Sequence, residues 1–194
     1  MAAIAGIALP GHQEKVVQML QKVSHRGRDR TKMLEKRGVT MQSAWTSGLA
    51  RPAPLSLQMS AVWDGLSAPL PKPESLSQRT EPFALAAVLP DGLFLARDLL
   101  GVRPLYYGKT NGSLAFASEV KALIPVTEDI HEFPPGSAWT VARMPIAWSR
   151  LCLSPSGRWW NMLSRSRLNA KSTVGTARRC SSLSLSWFER WIFS

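Results

Sequence analysis

The sequence predicts an α+β domain: layers of short strands with helix on at least one face. Two observations lead there. Paired apolar runs joined by glycine-containing turns recur between residues 83 and 141, the pattern of hairpins rather than of βαβ units. Ahead of them lies one amphipathic segment, in which Val16, Val17, Met19, Leu20 and Val23 fall at helical spacing. With 45% apolar and 19% charged residues, a chain of 194 residues suffices for one packed core plus an appendage.

Taken in order, Ala2 to Ala8 is apolar and bounded by Pro10-Gly11, which predicts a buried strand. Gln13 to Ser24 predicts a helix with Lys15, Gln18 and Lys22 on its polar side, ended at His25-Arg26-Gly27 by the glycine. Thr40 to Ala50 and Ser56 to Trp63 read as strands, and Leu66 to Thr80, rich in Pro and Ser, as loop. Phe83 to Leu89 and Gly92 to Arg97 flank Pro90-Asp91-Gly92, a hairpin signature. Pro104 to Gly108 and Ser113 to Ala117 flank Lys109-Thr110-Asn111-Gly112, where Asn-Gly supplies the positive φ of a tight turn. Glu119 to Ile124 fits one helical turn, and Pro134-Pro135-Gly136 opens a last strand through Val141.

The formal charge of +11 suggests nucleic acid until it is divided. From Pro145 to Ser194 there are eight Arg or Lys and one acid, Glu189, so this stretch contributes +7 and the other 144 residues only +4. Five of the eight tryptophans also fall there, with no apolar periodicity to bury them. Residues 143–194 therefore read as a basic Ser/Arg/Trp-rich tail, either disordered or the product of a shifted reading frame. Shifted by one base, the codons of Trp159-Trp160-Asn161-Met162-Leu163 give Val-Glu-(His or Tyr)-(Ala or Val) after one apolar residue, which permits a charged helix. Nucleic-acid binding is not expected, because nothing in the tail would place its basic and aromatic side chains.

No apolar run approaches the roughly 20 residues of a membrane span, and no basic flank precedes the first apolar stretch. Cys152 and Cys180 lack metal-ligand spacing, so a reducing, cytoplasmic setting is expected, with no metal and no cofactor.

Three groups of residues resemble class II glutamine amidotransferases of the asparagine synthase family. Met1-Ala2-Ala3-Ile4-Ala5-Gly6-Ile7 is similar to that family's Met-Cys-Gly-Ile-Ala-Gly-Ile, and His25-Arg26-Gly27-Arg28-Asp29 to its His-Arg-Gly-Pro-Asp. The most specific is Ala96-Arg97-Asp98-Leu99-Leu100-Gly101-Val102-Arg103-Pro104-Leu105-Tyr106-Tyr107. It continues through Leu114 to Leu123 and on to Pro134-Pro135-Gly136. The resemblance covers residues 1–142. It implies the four-layer αββα sandwich of N-terminal-nucleophile hydrolases, here with one helical layer possible only in part, because Leu66 to Thr80 is too short for the family's two helices.

The resemblance also implies a chemistry, and the sequence departs from it. In the family a cysteine at the second position attacks the glutamine amide, and the ammonia released serves a second, ATP-using domain that makes asparagine from aspartate. Here Ala2 occupies the nucleophile position, so no catalytic residue is assigned and glutamine is not expected to be turned over. The substrate pocket looks degraded. Pro54 stands where the family has arginine before Leu55-Ser56-Leu57, leaving Arg51 three residues early and read as solvated. Asp64-Gly65-Leu66 replaces Asn-Gly-Glu, and Thr80-Glu81-Pro82-Phe83 replaces Asp-Gly-Met-Phe. Arg97 and Asp98 are expected to form an ion pair or cap, Tyr106, Tyr107 and Phe116 to be core aromatics, and Ser118-Glu119 to cap the short helix or face a neighbouring domain. His25 is read as structural, and His12 and His131 as residues of polar turns.

No Ser-Gly-Gly-x-Asp-Ser pyrophosphate loop occurs. The expectation is thus an asparagine synthase-like amidotransferase domain, truncated before the ATP-using domain and inactive toward glutamine. The alternative is a non-catalytic scaffold or interaction module docking on an ATP-using amide synthetase. An ATP-using domain or subunit is the expected partner in either case.

Overall fold

A computed structural model of the chain describes residues 2–28, 30–46, 55–56, 61–65, 76, 79–90, 92–142, 148–153 and 159–163. Residues 30, 55–56, 142, 148–153 and 159–163 are described by their backbone alone. All fall within one compact unit, Met1–Ser164.

Two antiparallel sheets carry the fold. The first contains β1 (Ala2–Ile7), β2 (Arg30–Lys36), β3 (Val39–Trp45), β8 (Tyr106–Thr110), β9 (Ser113–Ala117) and β10 (Ile130–Glu132), in the order β10-β8-β9-β1-β3-β2. The second contains β4 (Leu55–Ser56), β5 (Ala61–Asp64), β6 (Ala84–Leu89), β7 (Gly92–Arg97), β11 (Ser137–Ala142), β12 (Trp148–Leu153) and β13 (Trp159–Leu163), in the order β13-β12-β11-β7-β6-β5-β4. Side chains alternate across each strand. Ile4, Met41, Leu114 and Phe116 of the first sheet therefore share one buried cluster with Val62, Ala86, Leu93 and Leu95 of the second, and the sheets pack face to face. Phe133, Trp139 and Tyr107 close this core, with ring centroids of 4.5 Å between Phe133 and Trp139 and 4.9 Å between Tyr107 and Trp139.

On the other face of the first sheet, Ala3, Ala5 and Ile7 meet two helices. Helix α1 (Gln13–Lys22) buries Val16, Met19 and Leu20 there, joined by Val23 just past its end, which is the i, i+3, i+4, i+7 stripe seen in the sequence. Helix α2 (Val120–Leu123) adds Ala122 and Leu123. The small alanines let helix and sheet approach closely. The outer face of the second sheet is buried too, through Ala61, Trp63, Leu85 and Phe94 with Leu76. The expectation of an incomplete helical layer falls on residues 66–78, of which only Leu76 is described.

The structure departs from the sequence reading in four places. Strand β2 was not expected, because Arg30-Thr31-Lys32-Met33-Leu34-Glu35-Lys36 is highly charged. It is an edge strand, where charge protects unpaired backbone. Strand β10, three residues long, is the opposite edge of that sheet. The single strand expected over Ser56–Trp63 is instead two, since β4 and β5 pair antiparallel and the chain must reverse between them. Strands also occur past residue 142, within the stretch read as a tail: β12 pairs with β11 and β13 with β12. Residues 164–194 lie outside the described residues.

The second hairpin turn is as expected, with Asn111 at φ 48° and Gly112 at φ 72°. Arg37 at φ 51° and Gly38 at φ 73° make the same turn between β2 and β3, where the sequence gives little warning because arginine is rare at positive φ.

Candidate functional site

The start of β1 is the nucleophile position implied by the sequence, and the structure surrounds it with charge. Ala2 is buried, and its amide N–H donates to Asp64 Oδ1 at 3.0 Å. Asp64 ends β5 in the opposite sheet and is 2% exposed. Its other oxygen, Oδ2, accepts from Arg26 Nη2 at 2.7 Å and lies 3.6 Å from Arg103 Nη1. Arg26 also donates from Nε to the Ala2 carbonyl at 3.1 Å and from Nη1 to Glu119 Oε1 at 3.4 Å. One guanidinium thus ties β1, β5 and the segment after β9 together, using the planar fork that lysine lacks.

Local structure explains how Arg26 arrives there. It ends a single 3-10 turn, Ser24–Arg26, directly after α1. The next residue, Gly27, is extended and lies so close to β3 that a Cβ would come within 2.5 Å of the Trp45 backbone. A glycine is required for this approach, so the Arg-Gly pair is a packing device that points the arginine inward.

Around this buried pair lies a more open ring. His25 Nε2 and Glu119 Oε1 are 2.9 Å apart, and Lys121 Nζ is 3.3 Å from Glu119 Oε2 and 3.3 Å from His25 Nδ1. Burial pulls the Glu119 carboxyl up. The hydrogen bonds and charges of Lys121 and His25 outweigh that and hold it below the ordinary glutamate range. Glu119 sits at the N-cap of α2 but makes no capping hydrogen bond; its carboxylate serves this network instead. Ser118, also a capping candidate, is fully buried and accepts from the Ile4 N–H through Oγ at 2.9 Å.

The other sequence candidates separate from this cluster. Gly65, φ 93°, follows Asp64 with no room for a side chain beside the Pro82 carbonyl and Arg103. Thr80 is exposed, and Pro54 and Arg51 lie outside the described residues. Of the two roles expected for Arg97 and Asp98, ion pair or cap, the structure shows the cap. Arg97 donates to the carbonyls of Gly101, Arg103 and Phe133 and to Glu132, while Asp98 accepts from the amides of Leu100, Val102 and Arg103. Phe116 is in the core, and Tyr106 and Tyr107 are partly buried against it. His12 Nδ1 contacts the Pro10 carbonyl at 2.8 Å, and His131 Nε2 contacts Asp129 at 2.6 Å, both away from Ala2's partners.

Sequence reasoning missed the Asp64–Arg26–Glu119 chain of contacts. Its members are 38 and 93 residues apart, and no local spacing announces them. Among the described residues no group of three or more His, Cys, Asp or Glu is placed to hold a metal ion, and no helix is long and apolar enough to cross a membrane. Chemically, the cluster offers a buried carboxylate, two guanidinium groups and the methyl side chain of Ala2.

Comparison with known proteins gives this geometry a setting. Residues 82–145 match the family model described as a glutamine amidotransferase domain. A segment of 56 residues, 28% of this chain, is 50% identical to the Escherichia coli K12 protein named asparagine synthetase B [glutamine-hydrolyzing], covering 10% of it. A segment of 51 residues, 25% of this chain, is 47% identical to a probable asparagine synthetase of Acanthamoeba polyphaga mimivirus and covers 9% of that protein. Among solved structures, glutamine phosphoribosylpyrophosphate amidotransferase of B. subtilis superposes with a TM-score of 0.59 at 13% identity, over 80% of this chain and 50% of that one. A structure titled as the allosteric regulatory enzyme of purine biosynthesis gives 0.58, again at 13% identity, over 79% of this chain and 49% of that one. The chain thus matches about a tenth of the curated relatives and half of the solved chains. The paired antiparallel sheets with their helical layer are the N-terminal-nucleophile amidotransferase fold.

Proposed function

Because this chain carries an asparagine synthase-like glutamine amidotransferase domain, we propose that the domain is retained without its glutamine-hydrolysing step. The observation that carries this reading is Ala2. It occupies the first position of the central strand, where the family's attacking thiol belongs, and its methyl group has no electron pair to donate. The altered pocket agrees with it, since Pro54 and Thr80 offer neither a guanidinium nor a carboxylate to a bound amino acid. On this reading the domain takes part in ATP-driven amide formation, asparagine synthesis being the relatives' own case, beside an ATP-using synthetase domain or subunit. Cytoplasmic location belongs to the same proposal. The purified full-length chain is expected to release no more ammonia from glutamine than buffer alone. Ammonia above that level would overturn the reading.

A second reading, a scaffold that docks on the synthetase, has its own observation. Leu99, Leu100 and Val102 are 55%, 80% and 57% exposed, at the tip of a loop whose backbone is pinned by Asp98. A rigid apolar tip has little entropy to lose on binding. Leu99→Ser/Leu100→Ser should weaken association with a separately expressed ATP-using asparagine synthetase domain at least about tenfold. Unchanged association would remove this reading.

A further inference from the structure

Asp64 is fully engaged, yet unevenly. Both arginines approach Oδ2, while Oδ1, the oxygen turned toward residue 2, receives only a backbone amide at 3.0 Å. The Cβ of residue 2 is two bonds from that nitrogen, so any side-chain nucleophile there would stand within a few ångströms of a buried carboxylate. The other charges facing the position are Arg26, which also touches the Ala2 carbonyl, Arg103, and at one remove Glu119, His25 and Lys121.

Attack on an amide makes a demand that this oxygen opposes. A thiolate sulfur forms a bond to the carbonyl carbon, and the carbonyl pair moves onto oxygen as an oxyanion. Collapse of that intermediate expels ammonia, which carries away the proton the thiol gave up. Negative charge is present before the step on sulfur and during it on oxygen, and such charge needs donors around it. A neighbouring anion raises the pKa of an acid and repels a developing oxyanion.

We propose that Asp64 is a second barrier to acyl transfer at this site, independent of the missing nucleophile: restoring a thiol at residue 2 alone does not restore chemistry. The proposal rests on reading residue 2 as the nucleophile position. Asp64 acts here as a positioning and electrostatic residue, not a catalytic one.

The test compares full-length Ala2→Cys with Ala2→Cys/Asp64→Asn, reading thiolate formation by ultraviolet absorbance against pH, with the Ala2 parent subtracted to remove Cys152 and Cys180. Acylation of the introduced thiol by an activated phenyl ester, which needs no glutamine pocket, is followed by mass spectrometry. Asp64→Asn should lower the thiolate midpoint by about one pH unit and speed acylation at neutral pH about tenfold. A merely structural Asp64 would leave the midpoint unmoved. Equal midpoints and equal acylation rates would overturn the proposal. Ammonia release from glutamine is measured on the same two proteins. If acylation rises but no ammonia appears, Asp64 is the barrier, and the altered pocket of the proposed function still excludes glutamine. If Ala2→Cys alone hydrolyses glutamine, residue 2 stands as the nucleophile position, and both the altered pocket and the second barrier fail. Should Asp64→Asn leave Arg26 unpaired and unfold the chain, Arg26→Gln/Asp64→Asn carries the same comparison without a buried lone charge.

Discussion

Two buried aspartates organise this domain, and they are held in opposite ways. Asp98 accepts from the amides of Leu100, Val102 and Arg103, all within five residues of it, while its neighbour Arg97 is absorbed by three carbonyls and Glu132. Asp64 has one amide, from Ala2, and two guanidinium partners that come from 38 residues before it and 39 after. The first is a turn written into one stretch of chain. The second is a junction between two sheets and a loop. A local turn keeps its geometry when the rest of the molecule changes, whereas a junction depends on every member being present.

The sharpest way to break this comparison is to remove one member of each. Arg26→Met leaves Asp64 buried with its closest cation gone and is expected to cost about 3–5 kcal/mol in chemical unfolding. Adding Asp64→Leu should recover about half of that loss, since an apolar pair replaces an ion pair at little cost, while the Ala2 amide and carbonyl and Arg103 each lose a partner. No recovery in the double variant would mean that the junction is held by packing rather than by charge.

At the corner, Asp98→Ala strands three amides and should cost about 3 kcal/mol, with no rescue available from any second side chain because the partners are backbone. A loss below about 1 kcal/mol would show that water satisfies those amides and that the corner is not rigid. Limited proteolysis at Leu99–Val102 reads the same question independently, cleavage being expected only in the variant.

The same division decides what could be read from the residues. Hairpins, the α1 stripe and the Asn111-Gly112 turn are local, and turn chemistry or periodicity exposes each of them. The edge strands β2 and β10 were hidden because they are charged or short, and the reversal between β4 and β5 carries no glycine or asparagine. At the site, residue 2 stands in a family-like motif and Asp64 in a family-like string. Their contact was not legible, because 62 residues separate them and pairing across two sheets leaves no spacing in the sequence. Arg26 was visible only as part of a loop motif, and the direction of its side chain depends on Gly27 meeting β3.

A smaller effect sharpens the boundary between the buried junction and its open rim. Glu119 is held below the ordinary glutamate range when folded, so its contribution to stability is complete above the unfolded-state pKa and fades as pH falls through the folded one. Being partly exposed, it should contribute less than about 1 kcal/mol at neutral pH. Glu119→Gln should therefore change the unfolding free energy little at neutral pH and flatten its decline on the acid side of the glutamate range. Lys121→Ala should act in the same direction with a smaller effect, because His25 and Arg26 still face the carboxylate. A loss at neutral pH as large as that of Arg26→Met would mean that Glu119 belongs to the junction itself, and that the ring around Ala2 is one cooperative network rather than a core with a solvated rim.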